Sequence, residues 1–402
     1  MKKINICIIG GKLQGTEACY LAKEAGWEIT LIDKNNNCSA ASLADNFYCA
    51  DILSEDITEY IKKCDIILPA LENKSVINKT ARLAKLNGIP FIYDENAYKI
   101  SSSKLRSDRM FEQNGISAPK YYPNGSFPYI IKPSVSSGSE GVRKVYNEIE
   151  LQAILKGKNK ANYVIQQYIN GPSYSIEVVG DGTNFYPLQI TEIITDSKYD
   201  CCRVEAGFDL SENQKNQMYE LGVKIGKLLK IKGIFDIETI LSDGKMYVLE
   251  IDARLPSQTP TAVYKSCKIN MLELLYDAYC GQLKAPKINI SYYAVYQHIL
   301  VENGRINILG EHIMGNRGRL RYVKGFFGCD EAITDYRPHK KAWAATLIVC
   351  ESTREEAVKR LGKIIHNIEE GGSLRYETDC IVNKNRRIVQ PCRKISDSYV
   401  RA

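Results

Sequence analysis

The sequence predicts a chain that is α/β at its start and α+β beyond, and three observations carry that expectation. Strand and helix alternate over residues 1 to about 95, with glycine closing the helices, which marks a parallel sheet. A Ser/Gly-rich run, SVSSGSEG, then follows a strand that ends in lysine. Further on, two apolar strands bearing acids flank a tight Ser-Asp-Gly turn, the pattern of an antiparallel hairpin.

KINICIIG, residues 3–10, reads as a strand ended by a glycine turn. TEACYLAKEA is the helix that follows, closed by Gly26, and EITLID is the next strand. DIILPAL, the helix NKTARLAKLN closed by Gly88, and the strand PFIYD continue the alternation. SSKLRSDRMFEQNG reads as a helix and the proline-bearing ISAPKYYPNGSFP as a connector. A second region opens at PYIIKPS. It holds the Ser/Gly-rich run, the helix EIELQAILKG, the strand YVIQQYI, and the antiparallel run YSIEVVGDGTNFYPLQITEII around a Gly-rich turn. SENQKNQMYELGVKIGKLLK opens with a capping box from Ser211 to Gln214 and sets Met218, Leu221, Ile225, Leu228 and Leu229 along one side. The hairpin GIFDIETILSDGKMYVLEIDAR and the helix NMLELLYDAYC come next. Past about residue 285 a third region is expected, with the strand AWAATLIVCES and the helix TREEAVKRLGKIIHNI.

With 402 residues, 44% hydrophobic and 25% charged, the chain has the make-up of a globular protein of two to three domains. No apolar run approaches the roughly 20 residues of a membrane span, and the apolar segment after MKK is too short for a secretory signal, so a cytoplasmic protein is expected. The 13 cysteines include the neighbours Cys201 and Cys202 but no C-x-x-C pair, which points to reduced thiols rather than a zinc or redox centre. Of the formal charge of +7, residues 381–402 carry +5, from six Lys or Arg against one Asp. The body is close to neutral, so nucleic acid is the lesser alternative and the tail is expected to be a solvated extension.

Glu250, Asp252 and Arg254 alternate along VLEIDAR and so project to one face of their strand. A salt bridge to Arg254 would neutralise one carboxylate. The facing strand, FDIETI, alternates in the same way, and the tight turn lays Asp236 and Glu238 beside the first pair. These carboxylates outnumber the arginine, and like charges at strand spacing repel unless a cation sits between them. Hard oxygen ligands suit Mg²⁺. Magnesium held by a few carboxylates keeps positions open for phosphates, so a phosphate grip is expected nearby. Two stretches compete for that role. GGKLQG, residues 10–15, follows a strand and opens a helix, with Asp33 near the place of a ribose-binding acid. Yet Lys12 replaces the middle glycine of a dinucleotide turn, and Thr16 follows Gly15 where a Walker motif has lysine. IIKPSVSSGSEGVRKV sets Lys132 at a strand end ahead of a run whose N–H groups can close over phosphates, although the same composition also makes a plain hairpin turn.

Lys132, the Ser/Gly run and the string LEIDARLPSQTPTAVY, with INMLELLY after it, resemble the ATP-grasp carboxylate–amine ligases. GGKLQG and LPALEN bring the likeness nearest to the group that joins 3-methylornithine to lysine in pyrrolysine biosynthesis, over roughly residues 1–370. Many ATP-grasp enzymes have Asn where Asp252 stands, then Pro-Arg; the string here is longer, and the tail past about residue 372 has no counterpart. The resemblance implies an ATP-grasp fold: an N-terminal parallel α/β (Rossmann-like) domain over 1–100, a small central lid domain over 101–180, a C-terminal domain with the metal acids over 181–380, and the tail 381–402.

ATP and Mg²⁺ follow as implied cofactors. Lys104 and Lys132 would hold the phosphates, Ser139 would lie in the covering loop, and Gln166, Gln167, Tyr168 and Ile169 would hold the adenine end. Glu238, Glu250 and Asp252 would bind Mg²⁺. Ser175, Ile176, Glu177, Asp236 and the run Arg254, Leu255, Pro256, Ser257, Gln258 and Thr259 would surround 3-methyl-D-ornithine, with Arg254 and Lys132 in the catalytic roles. Leu13, Gln14, Glu72 and Ser257 would receive L-lysine, and Lys12, Asp33, Asp51 and Ile52 lie where the family shows further nucleotide contacts. Small-molecule substrates, no membrane and a homodimer complete the expectation. Taken singly, several of these residues have plain alternatives: Glu72 as an acid at a helix start, Gln14 as a turn residue, Lys104 as a solvated helix lysine. Other readings of the chain also stay open at this point: another amino-acid or dipeptide ligase of the same fold, a nicotinamide-dependent oxidoreductase built on GGKLQG, or a nucleotide-sensing protein without turnover.

Overall fold

A computed structural model describes residues 3–134, 139–372 and 375–378, and the basic tail lies outside them. The strands Asn5–Ile9, Glu28–Asp33, Asn46–Cys49 and Ile66–Pro69 form a parallel sheet in the spatial order third, second, first, fourth. Their apolar runs are buried on both faces, with Ile6, Ile8 and Leu31 in one core beside Ala18 and Leu21, and Cys7, Ile9 and Ile32 in another. Asn46–Cys49 is a strand that the sequence pattern does not announce. PFIYD, expected as a strand, bridges only at Phe91, opposite Ile67. Pairing stops there because Asp94 turns to cap the helix Glu95–Ser101, accepting from Asn96 N and Ala97 N. The glycine turn serves close packing: a Cβ on Gly15 would fall 2.0 Å from Gly10 O.

Arg143–Val145, Tyr129–Pro133 and Tyr163–Gln167 form a small antiparallel sheet around Tyr129, Ile131, Val145, Leu151 and Leu155. The rest of the strands join one eleven-stranded sheet, which runs from Lys245–Asp252 through Lys232–Ser242, Ser173–Asp181, Phe185–Thr195, Cys201–Ala206 and Tyr293–Glu302 to Trp343–Glu351 and beyond. Two expectations change here. The boundary at 180 falls within the pairing of Ser173–Asp181 with Phe185–Thr195, so the large sheet begins ahead of it. Trp343–Glu351, expected in a third region past about residue 285, pairs along its whole length with Tyr293–Glu302, which in turn pairs with Cys201–Ala206, so one sheet crosses that division within the expected 181–380 domain.

The acid-bearing hairpin closes as its sequence requires. Ser242 pairs with Lys245, and Asp243 and Gly244 between them take φ of 50° and 75°, the left-handed conformations that a two-residue Asp-Gly turn needs. The helix Glu212–Leu229 carries the expected capping box, with Ser211 N donating to Gln214 Oε1 at 3.1 Å and Gln214 N to Ser211 Oγ at 3.4 Å. Met218, Ile225 and Leu229 are buried beneath it. Among the described residues, no helix is long and apolar enough to cross a membrane.

Candidate active site

Strand register assembles the acids. Asp236 stands opposite Asp252 and Glu238 opposite Glu250 across the hairpin, while on the other side Glu177 stands opposite Asp236 and Ser175 opposite Glu238. Positive charge meets them from three elements. Lys104, the first residue of the helix Lys104–Gln113, donates to Glu250 Oε1 at 2.7 Å. Lys132, on Tyr129–Pro133, is buried and faces Glu250, Asp108 and Glu238. Lys104 N donates to Ser134 O, which holds the helix start against the end of that strand. Arg254 donates to Asp252 Oδ2 at 3.0 Å and lies 3.3 Å from Glu72 Oε1.

Burial, followed by repulsion from Glu250 and Asp252, pushes Glu238 up to about 7. Asp252 rises to about 6, through burial against the pull of Arg254, and Asp236 rises well above the usual carboxylate range through burial and then Asp252 and Glu238. Burial draws Lys132 down. Asp236 Oδ1 and Glu177 Oε2 are buried with no hydrogen-bond partner among the described residues. Glu238 facing Glu250, with Asp252 next along the same face, makes an all-oxygen carboxylate cluster, a donor set that fits a hard divalent cation such as Mg²⁺.

The acids open into a cavity of about 140 Å³, whose lining also includes Ser139, Ser175, Arg254, Pro256, Ser257, Gln258 and Thr259. Glu311 lines it too, and nothing in LGEHIMG announces that role. Only the fold brings Glu311 Oε2 to Ser257 Oγ at 2.7 Å and Gln258 Nε2 at 2.8 Å. Gln258 is held at φ 74°, ψ −58°, a strained conformation for a residue with a side chain. Glu17 steadies the next turn by accepting from Thr261 N at 2.6 Å, and burial pushes this acid up to about 7. Leu13 and Gln14 open the helix Leu13–Glu24 that carries Glu17 and are not in the cavity lining; a Cβ on Gly315 would lie 3.4 Å from Leu13.

Several expected residues are not part of this lining. Ile176 points to the opposite face from Ser175 and Glu177, into the core with Tyr174 and Val178, as strand alternation demands. Leu255 packs in the core with Leu68, Ile92 and Leu275. Gln166, Gln167, Tyr168 and Ile169 stay outside the cavity lining, on or just past the strand that pairs with Tyr129–Pro133. Gln166 donates to Asp108 Oδ2 at 3.1 Å, Gln167 to Ser126 Oγ at 3.2 Å, and Lys144 Nζ sits 3.4 Å from the centroid of the Tyr168 ring. Lys12, Asp33, Asp51 and Ile52 are also outside the lining. Asp33 accepts from Gly11 N and Asn35 N, Asp51 accepts from Leu53 N, Ile52 is buried in the N-terminal core, and Lys12 precedes the first helix without a side-chain cap.

A family model described as an ATP-grasp domain matches residues 101–258, the segment holding Lys104, Lys132 and the facing acids. A 3-methyl-D-ornithine–L-lysine ligase from Methanosarcina acetivorans is 38% identical over 318 residues, covering 77% of this chain and 84% of that protein. This chain belongs to that family of ATP-grasp ligases. The ligase of the same description from Methanosarcina barkeri is 35% identical over 314 residues, covering 77% of this chain and 83% of its own length. An L-amino acid ligase from Bacillus licheniformis shares the fold, with a TM-score of 0.67 over 91% of this chain and 98% of that one at 17% identity. As an ATP-grasp ligase, the chain places its acid cluster on the edge hairpin of the large sheet and its buried lysine on the small one.

Proposed function

We propose that this ligase joins the carboxylate of (3R)-3-methyl-D-ornithine to the ε-amine of L-lysine at the expense of ATP, by way of an acyl phosphate, to give (3R)-3-methyl-D-ornithinyl-N6-L-lysine in the cytoplasm. One observation carries the proposal. A single cavity is lined by Arg254 and by acids from distant parts of the chain, Asp236, Glu238, Glu250 and Asp252 on the hairpin and Glu311 well beyond it, with Glu177 opposite Asp236 in the neighbouring strand. Two diamino acids, each with ammonium groups to satisfy, suit that arrangement, and the relatives named for this reaction support it.

A carboxylate does not acylate an amine directly, because oxide would have to leave. Instead a carboxylate oxygen attacks the γ-phosphorus and ADP departs. The amine nitrogen then attacks the acyl carbon, phosphate leaves with that oxygen, and the nitrogen sheds its proton. When bound by Glu238, Glu250 and Asp252, Mg²⁺ supplies positive charge to the phosphate oxygens. Lys104 and Lys132 are placed to add theirs. Arg254 keeps its charge at any working pH, and its forked donors match carboxylate or phosphoryl oxygens. Glu177 and Asp236, with unmatched buried oxygens, would take the side-chain ammonium of methylornithine. Ser257 and Glu311, with Leu13 and Gln14 behind them, would receive lysine.

The test is ADP release over pairs of amino acids, with mass spectrometry of the product. Release that requires both methylornithine and lysine, with the isopeptide formed, is the expected result; release with a different pair alone would reassign the substrates within the ligase class. In the same assay Glu72→Gln is expected to raise the KM for lysine by about ten- to hundred-fold, the worth of one charge-assisted contact. Glu72 also touches Arg254, so the competing result is weaker ATP binding with lysine dependence unchanged, which would move Glu72 to the phosphate end.

A further inference from the structure

Residues 196 to 200 form a turn between Phe185–Thr195 and Cys201–Ala206 that the reaction leaves unused, and the turn is tied down from several sides. Asp196 Oδ1 accepts from Lys198 N at 2.8 Å and Asp200 N at 3.1 Å, and its Oδ2 accepts from Gly310 N at 3.0 Å. Asp200 Oδ2 accepts from His312 N at 3.2 Å and meets His312 Nδ1. A Cβ on Gly310 would fall 2.1 Å from the Asp200 carboxyl, so the approach is close. Asp196, Asp200 and His312 lie near enough together for a metal ion, but these backbone bonds already engage their oxygens and make them a clasp between the turn and residues 310–312.

Both ends of the clasp reach the reaction. Tyr199, at φ 66°, turns its carbonyl to accept from Ser139 Oγ at 2.6 Å, and Ser139 itself stands at φ 56°. Two side-chain-bearing residues in the left-handed region persist only where surrounding bonds hold them. At the other end, His312 adjoins Glu311, which Ser257 and Gln258 hold by hydrogen bonds. Ser139, Tyr199, Asp200 and Glu311 line the same cavity.

We propose that Asp200 is a positioning residue for ligation, tying Ser139 on the phosphate side to Glu311 on the amine side and so keeping the wall between the two substrates closed to water while the acyl phosphate awaits the amine. The inference rests on the acyl-phosphate reading above. If the wall opens, a water oxygen attacks the acyl carbon, phosphate leaves and the carboxylate is regenerated, so that ATP is hydrolysed with no isopeptide made.

The readout is the ratio of ADP released to isopeptide formed, with the full chain, MgATP and the amino-acid pair that the unaltered protein ligates. That protein is expected to give equal amounts. Asp200→Asn and Gly310→Ala reach the clasp from opposite sides, and each is expected to raise the ratio by about threefold or more as water gains access. Ser139→Ala cuts the far end of the same chain of bonds and is expected to raise it alike, with little further rise when combined with Asp200→Asn. Variants that lose ADP release and isopeptide in step, with the ratio unchanged and a lower Tm, would show Asp200 to be structural only and overturn the proposal. Should one variant fail to fold, the others decide. If the unaltered protein ligates some pair other than methylornithine and lysine, the substrate assignment fails while the ratio, taken on the working pair, still judges Asp200.

Discussion

Asp252→Ala is expected to lower ADP release by about 100- to 1,000-fold, the scale seen when a preorganised charge that stabilises a transition state is removed, while Tm holds or rises. The two halves of that result come from one cause. Asp252 lies opposite Asp236 and beside Glu250, and burial, with Glu250 and Glu72 working against the pull of Arg254, raises its carboxyl to about 6. Taking the acid away relieves repulsion in the folded protein, and Arg254 keeps Glu72 as a partner. Sites that hold such repulsion serve binding at the cost of stability. Steady-state ADP release at ordinary Mg²⁺, alongside thermal melting without nucleotide, checks both halves. Near-normal release would remove Asp252 from the metal site.

Lys132→Met is expected to cut kcat/KM for ATP by at least about 100-fold, through both weaker binding and slower transfer, as loss of a charge aimed at phosphate oxygens requires. The methionine stem nearly matches the length of lysine, so packing survives while the charge goes. Lys132 is buried, and burial draws down its proton affinity; Glu250, Asp108 and Glu238 oppose that pull. Glu250 would retain Lys104 at 2.7 Å, which localises the defect to the nucleotide rather than to the acid cluster. Calorimetric titration with MgATP separates binding from rate, and unaltered affinity would place the phosphates elsewhere.

Much of this site was legible because its chemistry follows local rules. Strand alternation put Asp236 with Glu238 and Glu250 with Asp252, and the Asp243–Gly244 turn set one pair against the other in register. The parallel sheet was legible for the same reason, since strands buried on both faces are continuous apolar runs. Contiguous windows misled where alternation was not applied to them: Ile176 and Leu255 turn into cores because their neighbours face the cavity. Asp33 and Asp51 accept backbone N–H groups in turns, bonding that strand and helix periodicity does not foretell. Glu311 and Asp200 had no local sign at all. They reach the cavity through pairings between segments more than 50 residues apart, Glu311 with Ser257 and Gln258, Asp200 with residues 310–312. The same distance hid the continuity of the large sheet, in which Tyr293–Glu302 joins strands from both sides of the expected boundary.

The acyl phosphate is the claim on which the roles of Lys132, Arg254 and the acids converge, and an isotope can follow the oxygen it transfers. 3-Methyl-D-ornithine carrying heavy oxygen in its carboxylate, turned over with MgATP and L-lysine, is predicted to deliver the label into inorganic phosphate in step with isopeptide and to leave ADP unlabelled. Isopeptide formed with unlabelled phosphate, or with the label in AMP, would contradict it.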